Sequence, residues 1–342
     1  MTTSTSPHTI ACRNVWKVFG RTPEKIIPAI TPEQTRSQIL NHTGHLVAVR
    51  DISFEVQAGE TFVVMGLSGS GKSTLVRCIS RLIEPTRGQI LVQGQDVVTM
   101  DSKQLLALRR HKVSMVFQNF GLFPHRRVLE NVAYGLEVQG MAKKARQERA
   151  TQMLELVGLS GWEQHFPRQL SGGMQQRVGL ARALAVDPDI LLFDEPFSAL
   201  DPLIRRDMQD ELITLRTKMN KTIIFITHDF AEALRLGDHI AIMKDGQFMQ
   251  VGTAAELVTH PANDYVRAFT KDAPRAKILT AANLMRPAPN GAESSTSVST
   301  ETKLEELIRL VATTDVPVAV VDAEQHVVGQ IDRASVMQAL ID

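Results

Sequence analysis

The sequence predicts an α/β fold that is built on a largely parallel sheet and carries a small C-terminal α/β appendage. Short runs rich in Val, Ile and Phe, each bounded by Gly, Asp or His, alternate with longer amphipathic stretches. Such runs are typical of buried strands, and strands that alternate with helices form parallel sheets covered on both faces. The segment 273–300, rich in Pro, Asn, Ser and Thr, is predicted to be a linker before the appendage.

Composition excludes several classes of protein. The chain has 342 residues, 43% of them hydrophobic, which favours a sizeable core and two domains. Its 38 basic and 37 acidic residues leave a net charge of +1, so no general attraction to nucleic acid is expected. Cys12 and Cys78 indicate no disulfide framework. We find no secretory signal and no apolar run near the roughly 18 residues of a membrane span, so other chains must supply any membrane path.

The elements follow in chain order. An insert at 23–44 is predicted to contain a short helix from Glu33 to Leu40, capped by Thr31 with Pro32 in its first turn. Gly88 and Gly94 mark turns, which favours antiparallel strands in the segment Arg87–Val98. The predicted elements of the parallel sheet and its cover are strands Thr61–Met65, Val113–Phe117, Ile190–Phe193 and Ile223–Thr227, helices Lys72–Leu82, Gly173–Val186 and Pro202–Lys218, and the antiparallel segment Arg87–Val98.

The segment Gly66–Thr74, GLSGSGKST, matches the phosphate-binding P-loop pattern. It follows a predicted strand and opens a predicted helix, which is the context this pattern requires, and a coincidental Gly/Ser turn is the alternative. Glycines allow backbone N–H groups to surround phosphates, and the helix N-terminus adds positive potential. Lys72 would reach the β- and γ-phosphates of a nucleotide, and Ser73 would ligate Mg²⁺.

Polar residues end three other predicted strands. Asp194 and Glu195 follow Ile190–Phe193, and we expect Asp194 to hold Mg²⁺ and Glu195 to polarise the attacking water. A strand end capped by acids is also a common structural feature. His228 follows Ile223–Thr227 and could orient the water near the γ-phosphate, although a lone histidine there is more often structural. Gln118, an equally weak signal alone, could reach Mg²⁺ or water.

A second Gly-rich helix start lies at Leu170–Arg177, LSGGMQQR. One nucleotide needs only one P-loop, so a second anion-binding helix start suggests phosphate contact with another copy of the chain.

Taken together and in this order, these motifs resemble those of the ATP-binding-cassette (ABC) ATPases, and LSGGMQQR is the most specific of them. The resemblance covers roughly Ile10 to Phe269. It implies a head-to-tail homodimer in which each ATP lies between one subunit's P-loop and the other's LSGG segment. The resemblance implies adenine stacking on Phe19, and an interface loop that contains Asp201 of the motif Ser198-Ala199-Leu200-Asp201. The site residues it implies are Glu195 and His228 for catalysis; Phe19, Gly66, Leu67, Ser68, Gly69, Ser70, Gly71, Lys72, Ser73 and Thr74 for the nucleotide; Ser171, Gly172, Gly173 and Gln175 in trans; and Ser73, Gln118 and Asp194 for Mg²⁺.

The insert, the phrase Arg81–Gly88 and the run FSALDPLIR at Phe197–Arg205 are similar to the ATPase of glycine betaine/proline uptake systems. Asp315–Asp332 resembles a CBS (cystathionine-β-synthase-type) regulatory motif. Relatives often carry two such motifs in tandem, whereas this chain has one clear copy, which either senses nucleotide or ionic strength or is only structural. Pro196 replaces an Ala that is common in betaine-type relatives. The domains expected are an ATPase domain at 1–272 with a helical subdomain at about 119–186, a linker at 273–300 and one CBS-like motif at 301–342.

The leading hypothesis is the ATP-hydrolysing subunit of an importer, peripheral on the cytoplasmic face of the inner (plasma) membrane. Its expected partners are a second copy, permease subunits and, indirectly, a substrate-binding protein, with no nucleic acid. Glycine betaine or a related quaternary amine is the favoured substrate; choline, proline betaine, carnitine and histidine stay open. One alternative is a soluble cassette ATPase that acts on DNA or ribosomes, but it would need a long heptad insertion or a second cassette, and the sequence shows neither. The other alternative is a regulator that binds ATP without hydrolysing it, and the presence of Glu195 and His228 counts against it.

Overall fold

The computed structural model describes residues 8–118, 121–198, 200–287, 296–314 and 316–341, without the side chains of Thr217 and Ile341. The chain divides into two compact units, Met1–Val251 and Gly252–Asp342. This division lies before the boundary at 272 that the sequence predicts. The observed boundary is earlier because Ala255 packs against the hydrophobic core of the second unit.

The elements of the first unit are the strands β1 Ile10–Phe19, β2 Leu46–Val56, β3 Thr61–Met65, β4 Arg87–Val92, β5 Gln95–Asp96, β6 Val113–Val116, β7 Ile190–Asp194, β8 Thr222–Thr227, β9 His239–Lys244 and β10 Gln247–Gly252. Its helices are α1 Arg36–Thr43, α2 Lys72–Ile79, α3 Ser102–His111, α4 Val128–Val138, α5 Lys143–Leu156, α6 Gly172–Ala185, α7 Pro202–Met219 and α8 Phe230–Leu236.

A six-stranded sheet with the order β10-β9-β3-β8-β7-β6 forms the centre of this unit. The five strands from β9 to β6 are parallel, as the sequence predicts. Every residue of β3, β7 and β8 is buried, which explains their uninterrupted apolar runs. Because these three strands are neighbours and parallel, the residues that follow them meet at one edge of the sheet.

A second, four-stranded sheet has the order β2-β1-β4-β5. Its strands pair antiparallel, and β4 and β5 occupy the segment for which the sequence predicts antiparallel pairing. Both sheets contribute to one hydrophobic core, in which the rings of Phe54 on β2 and Phe62 on β3 stack 4.7 Å apart. This shared core fixes β1 and β2 beside the end of β3.

Helices α4, α5 and α6 pack against one another within the segment for which the sequence predicts a helical subdomain, about 119–186. Asn119 and Phe120, at the start of that segment, lie outside the described residues. The first residues of α6 belong to the LSGG segment.

The insert at 23–44 forms a helix, but not at the predicted position. Helix α1 begins after Thr35, whose side chain caps it in a reciprocal capping box with Gln38. Thr31, the predicted cap, lies in a preceding turn, where its carbonyl oxygen accepts a hydrogen bond of 2.6 Å from the buried Arg50 on β2. The expectation of a helix from Glu33 is therefore wrong, because Arg50 holds the chain before α1 in a non-helical turn.

The second unit has its own core of buried apolar side chains. The described part of the predicted linker at 273–300 contributes two short helices, a strand and the fully buried Leu279 and Ala281, so it belongs to the folded second unit. Residues 288–295 and Asp315 lie outside the described residues. The elements of this unit are α9 Ala254–Thr259, α10 Asp264–Thr270, α11 Arg275–Ile278, α12 Ala281–Leu284, β11 Ser297–Ser299, α13 Leu304–Thr313, β12 Val318–Val321, β13 Val327–Ile331 and α14 Arg333–Ile341.

The sheet of the second unit has the order β11-β12-β13, with β11 parallel and β13 antiparallel to β12. Across the described parts of both units, no helix has the length and the apolar character that crossing a bilayer requires.

Candidate functional site

The P-loop connects the end of β3 to the start of α2, and its backbone requires glycine at two positions. Gly66 and Gly71 have φ values of 154° and 112°, which side chains rarely adopt. A Cβ atom at Gly66 would lie 2.2 Å from the carbonyl oxygen of Met243 on β9, and one at Gly71 would lie 2.1 Å from that of Ala48 on β2. The loop therefore packs directly against the backbone of both sheets.

Lys72 is the first residue of α2, and its side chain is buried, with 4% exposed. Its Nζ donates to the carbonyl oxygens of Gly66 and Leu67, at 2.8 and 3.1 Å, and lies 3.4 Å from Oε1 of Glu195. The ammonium group is thus held inside the loop and beside the acid that follows β7.

Ser73 and Asp194 meet at the edge of the sheet. The Ser73 hydroxyl donates to Oδ1 of Asp194 at 2.6 Å, and the Arg77 guanidinium lies 3.0 Å from Oδ2. Asp194 is only 1% exposed, so Arg77 supplies the opposite charge that a buried carboxylate needs. Ser73 and Arg77 lie one turn apart on α2 and therefore face the same carboxylate.

Glu195 and His228 form the second polar pair at this edge. Nδ1 of His228 lies 3.3 Å from Oε2 of Glu195, and the imidazole is 54% exposed. Glu195 has a φ of 47°, a conformation that non-glycine residues adopt at a cost of about 1–3 kcal/mol. Both oxygens of this carboxylate thus face a basic group, Lys72 on one side and His228 on the other.

Gln118 follows β6 and joins the same group of residues. Its amide nitrogen lies 3.4 Å from the Ser198 hydroxyl, which in turn donates to the carbonyl oxygen of Glu195 at 3.1 Å. Ala199, in the predicted interface loop, lies outside the described residues.

A cavity of about 280 Å³ opens over the P-loop. Phe19, at the end of β1, is 40% exposed at this cavity, with Nζ of Lys17 4.8 Å from its ring centre. An exposed aromatic ring beside a phosphate-binding loop offers a stacking surface for a base. The cavity is lined by Phe19, Arg36, Leu46, Ala48, Ser68, Gly69, Gly71, Lys72, Ser73, Thr74, Gln118 and Glu195.

The LSGG segment lies elsewhere in the first unit. Ser171 caps α6 by accepting a hydrogen bond from the backbone N–H of Met174, and Ser171 and Gly172 are exposed. A Cβ atom at Gly173 would lie 2.5 Å from Ile204 on α7, and Gln175 donates to the carbonyl oxygens of Pro167 and Leu170. Among the described residues that line the cavity, none belongs to this segment.

Asp201 caps α7 through hydrogen bonds from the N–H groups of Leu203 and Ile204, at 3.2 and 3.1 Å. This cap fixes the loop that joins β7 to α7. Asp201 therefore has a structural role within its own chain, and this role does not depend on any contact that the loop makes with another subunit.

The structure thus brings together the P-loop, Phe19, Gln118, Asp194, Glu195 and His228, and it leaves Ser171, Gly172, Gly173, Gln175 and Asp201 outside the cavity. Sequence reasoning missed Arg77 and Arg36. The spacing of Arg77 four residues after Ser73 could have revealed it, whereas no sequence pattern links the insert to the P-loop.

Serine, carboxylate and amide oxygens are hard ligands of the kind Mg²⁺ prefers. The 2.6 Å approach of Ser73 Oγ to Asp194 Oδ1 shows that two such oxygens converge. The residues present therefore fit a magnesium ion. Within the described residues, no cluster of three or more His, Cys, Asp or Glu side chains forms a separate metal site.

Comparison with known proteins gives concordant results. A family model described as ABC transporter matches residues 49–198, which include the P-loop, the LSGG segment and Glu195 but not Phe19 or His228. The glycine betaine transport ATP-binding protein OpuAA of Bacillus subtilis is 45% identical over 99% of this chain and 94% of its own length. The trimethylamine N-oxide transport system ATP-binding protein TmoW of Pelagibacter ubique is 48% identical over 97% of each chain.

One further relative matches over a smaller share of both chains, and one solved structure is also similar. The glycine betaine/proline betaine transport system ATP-binding protein ProV of Escherichia coli is 50% identical over 82% of this chain and 70% of its own length. The dimeric post-hydrolysis structure of the ATP-binding cassette MJ0796 bound to ADP and Pi superposes with a TM-score of 0.61 at 32% identity, covering 71% of this chain and 98% of that one.

Proposed function

The chain belongs to the ABC transporter family, among the ATP-binding proteins of glycine betaine and related transport systems, and from this premise we propose that it energises uptake of glycine betaine or a related quaternary amine. Membership of this family makes the chain an ATP-binding ATPase. The cavity in which the P-loop, Phe19 and Glu195 meet carries the ATPase part of the proposal, and the similarity to OpuAA and TmoW over nearly the whole chain carries the cargo part.

In the proposed reaction, Glu195 accepts a hydrogen bond from the attacking water and polarises it. His228 orients that carboxylate and the γ-phosphate, and its 3.3 Å approach to Glu195 supports this role. Lys72 moves its bonds from loop carbonyls to the β- and γ-phosphates, where its charge offsets the charge that develops during phosphoryl transfer. The amide N–H groups of Gly69–Thr74 surround the phosphates, and Phe19 stacks on the adenine.

Ser73, Asp194 and Gln118 would hold Mg²⁺. The ion supplies charge neutralisation at the phosphate oxygens when bound. Arg77 orients Asp194 by engaging its second oxygen, which leaves Oδ1 directed at Ser73. The chain thus presents oxygen donors at the place where the phosphates of a P-loop nucleotide lie.

We propose that the active form is a head-to-tail homodimer. The N-terminus of α6, where Ser171 and Gly172 are exposed and Gly173 and Gln175 follow, is a second helix end of the kind that binds anions, and it does not line the cavity of its own chain. Placed over the γ-phosphate of a partner subunit, it would complete that site. Asp201 would lie in the loop that crosses the interface. The dimeric state of the MJ0796 cassette supports this arrangement.

The proposed partners beyond the second copy are integral-membrane permease subunits and, through them, a substrate-binding protein. This places the chain peripherally on the cytoplasmic face of the inner membrane. The near-zero net charge supports the absence of a nucleic-acid partner. ATP binding would close the dimer and move the loop after Gln118 against a permease helix.

Two kinds of cargo have support. The match to OpuAA and ProV favours glycine betaine, and the match to TmoW over 97% of both chains favours trimethylamine N-oxide as the second candidate. Both are small, polar molecules with a fully substituted nitrogen. The cargo would contact the binding protein and the permease, so no residue of this chain selects between them.

Uptake by cells that lack this chain tests the proposal. Uptake of labelled glycine betaine is expected to fall, to return when the chain is supplied, and not to return with the Glu195→Gln variant. Unchanged glycine betaine uptake alongside lost trimethylamine N-oxide uptake would favour the second cargo. Unchanged uptake of both would remove the cargo proposal, while ATP hydrolysis by the purified chain would still test the ATPase.

We also propose that the second unit, which contains the CBS-like motif, regulates the ATPase. Its independent core supports treating residues from Gly252 onward as one regulatory body. Truncation after Phe269 would cut this body inside α10, so the division at Val251 gives the better test.

Removal of residues 252–342 is expected to retain ATP hydrolysis but to change its dependence on KCl concentration, because a salt-sensitive regulator would be gone. Steady-state hydrolysis measured across a KCl series for both forms checks this. Superimposable salt curves would discard the sensing role.

A further inference from the structure

The insert between β1 and β2 is a folded element with its own packed side chains. Ile27 and Ile39 of the insert pack with Val18 on β1 and Val47 on β2 in a small separate core. The guanidinium of buried Arg50 donates to the carbonyl oxygens of Thr31 and Gln34, at 2.6 and 2.7 Å, which fixes the turn before α1. The position of the first turn of α1 is therefore set by the body of the unit.

This first turn carries Arg36, which lines the nucleotide cavity. Its guanidinium donates to the carbonyl oxygen of Gly69, in the middle of the P-loop. The charged residues that line the cavity are Arg36, Lys72 and Glu195. Lys72 already lies 3.4 Å from Glu195, whereas no ion pair to a carboxylate is present for Arg36 among the described residues.

A guanidinium has five N–H donors in a planar fork, and the bond to Gly69 uses one of them. A nucleoside triphosphate carries several negative charges, and the phosphate geometry matches that fork. Arg36 lines the cavity over the P-loop, so its remaining N–H donors can serve a ligand bound there.

We propose that the insert is part of the nucleotide site and that Arg36 contacts the phosphates of the nucleotide that the P-loop binds. This inference rests on the proposed ATPase site and adds a residue to it. Arg36 is proposed as an affinity residue for the phosphates, with a role distinct from that of the proposed water-activating pair Glu195 and His228. Its bond to Gly69 places its charge in the loop before the phosphates arrive.

The test measures the dissociation constants for ATP and ADP by titration calorimetry in EDTA, which prevents hydrolysis. Arg36→Ala is expected to raise both constants by about tenfold, the size of one charge-assisted hydrogen bond. Arg36→Lys keeps the charge and should recover part of the loss. Arg36→Gln keeps a side-chain N–H donor but carries no charge, so it should resemble Arg36→Ala. Lys25→Ala removes an exposed charge from the same insert and should leave both constants unchanged.

Two further readouts separate phosphate contact from a structural role. The difference between wild type and Arg36→Ala should shrink as the KCl concentration rises, because salt screens a charge that is only half-buried. In hydrolysis assays KM for ATP should rise while kcat stays nearly unchanged.

Unchanged dissociation constants in Arg36→Ala would overturn the inference, and so would full recovery by Arg36→Gln, which would show that the positive charge is not required. If wild type itself bound no ATP, the proposed function would fail instead. The two failures are therefore distinguishable.

Discussion

Replacement of Glu195 by glutamine is expected to lower the rate of ATP hydrolysis by about 10²–10⁴-fold and to leave ATP affinity nearly unchanged. Gln keeps the shape of the side chain but cannot polarise water as a carboxylate does. Nδ1 of His228 and Nζ of Lys72 lie 3.3 and 3.4 Å from the two carboxylate oxygens, so Glu195 is already aligned in the single chain. Steady-state phosphate release measures the rate, and titration in EDTA measures the affinity.

The matched control is Glu55→Gln on β2, an exposed carboxylate that is not among the residues lining the cavity. It should hydrolyse ATP like wild type. A Glu195→Gln variant that retained most of its activity would assign water activation to another residue and remove the proposed role of the His228–Glu195 pair.

Replacement of Lys72 by alanine is expected to lower hydrolysis by about 10²–10³-fold, the size of one lost donor to a developing phosphoryl charge. The ATP dissociation constant should also rise, because Lys72 is proposed to contact phosphates in both the bound and the reacting state. Lys72 is buried and donates to two loop carbonyls, so some of the effect could come from the loop itself.

Thermal unfolding without nucleotide separates the two causes. A structural effect would lower the midpoint, whereas a lost phosphate contact would mainly reduce the midpoint increase that ATP produces. Lys112→Ala, which removes an exposed lysine paired with Asp189, is the control and should behave like wild type. Wild-type hydrolysis by Lys72→Ala would contradict the P-loop assignment.

The catalytic half of the site was predictable because its signals are local. The run Thr61–Met65 coincides with β3, since a fully buried parallel strand must be apolar at every position. The polar residues after β7 and β8 were then placed together by parallel pairing alone. The strand β1 was not predicted, because bulges near Cys12, Val15 and Lys17 interrupt the regular alternation of a strand.

Other features depend on contacts that no local pattern records. Thr31 and Thr35 both precede a glutamine by three residues, so the sequence offers two equivalent capping boxes for α1. The bond from Arg50 to Thr31 selects the second one. In the same way, the Ser/Thr-rich composition of residues 273–300 predicted a linker, although Leu279 is buried and packs this segment into the second unit.

The LSGG segment poses a different problem. Its sequence is the most specific of all the motifs, yet the role that the single chain shows for its serine, Ser171, is to cap helix α6. Its proposed role exists only between two chains, so a substitution must separate capping from phosphate contact. Ser171→Asp does so, because aspartate caps helices as well as serine but would repel the γ-phosphate of a partner.

The central claim is that the P-loop forms half of a site that a second subunit completes. Light scattering of the Glu195→Gln variant tests it most directly, since ATP should accumulate uncleaved between two subunits. The account predicts a dimer in saturating ATP and Mg²⁺, a monomer without ATP, and a monomer in both conditions for Glu195→Gln combined with Ser171→Asp. A Glu195→Gln variant that binds ATP but remains monomeric would contradict the account.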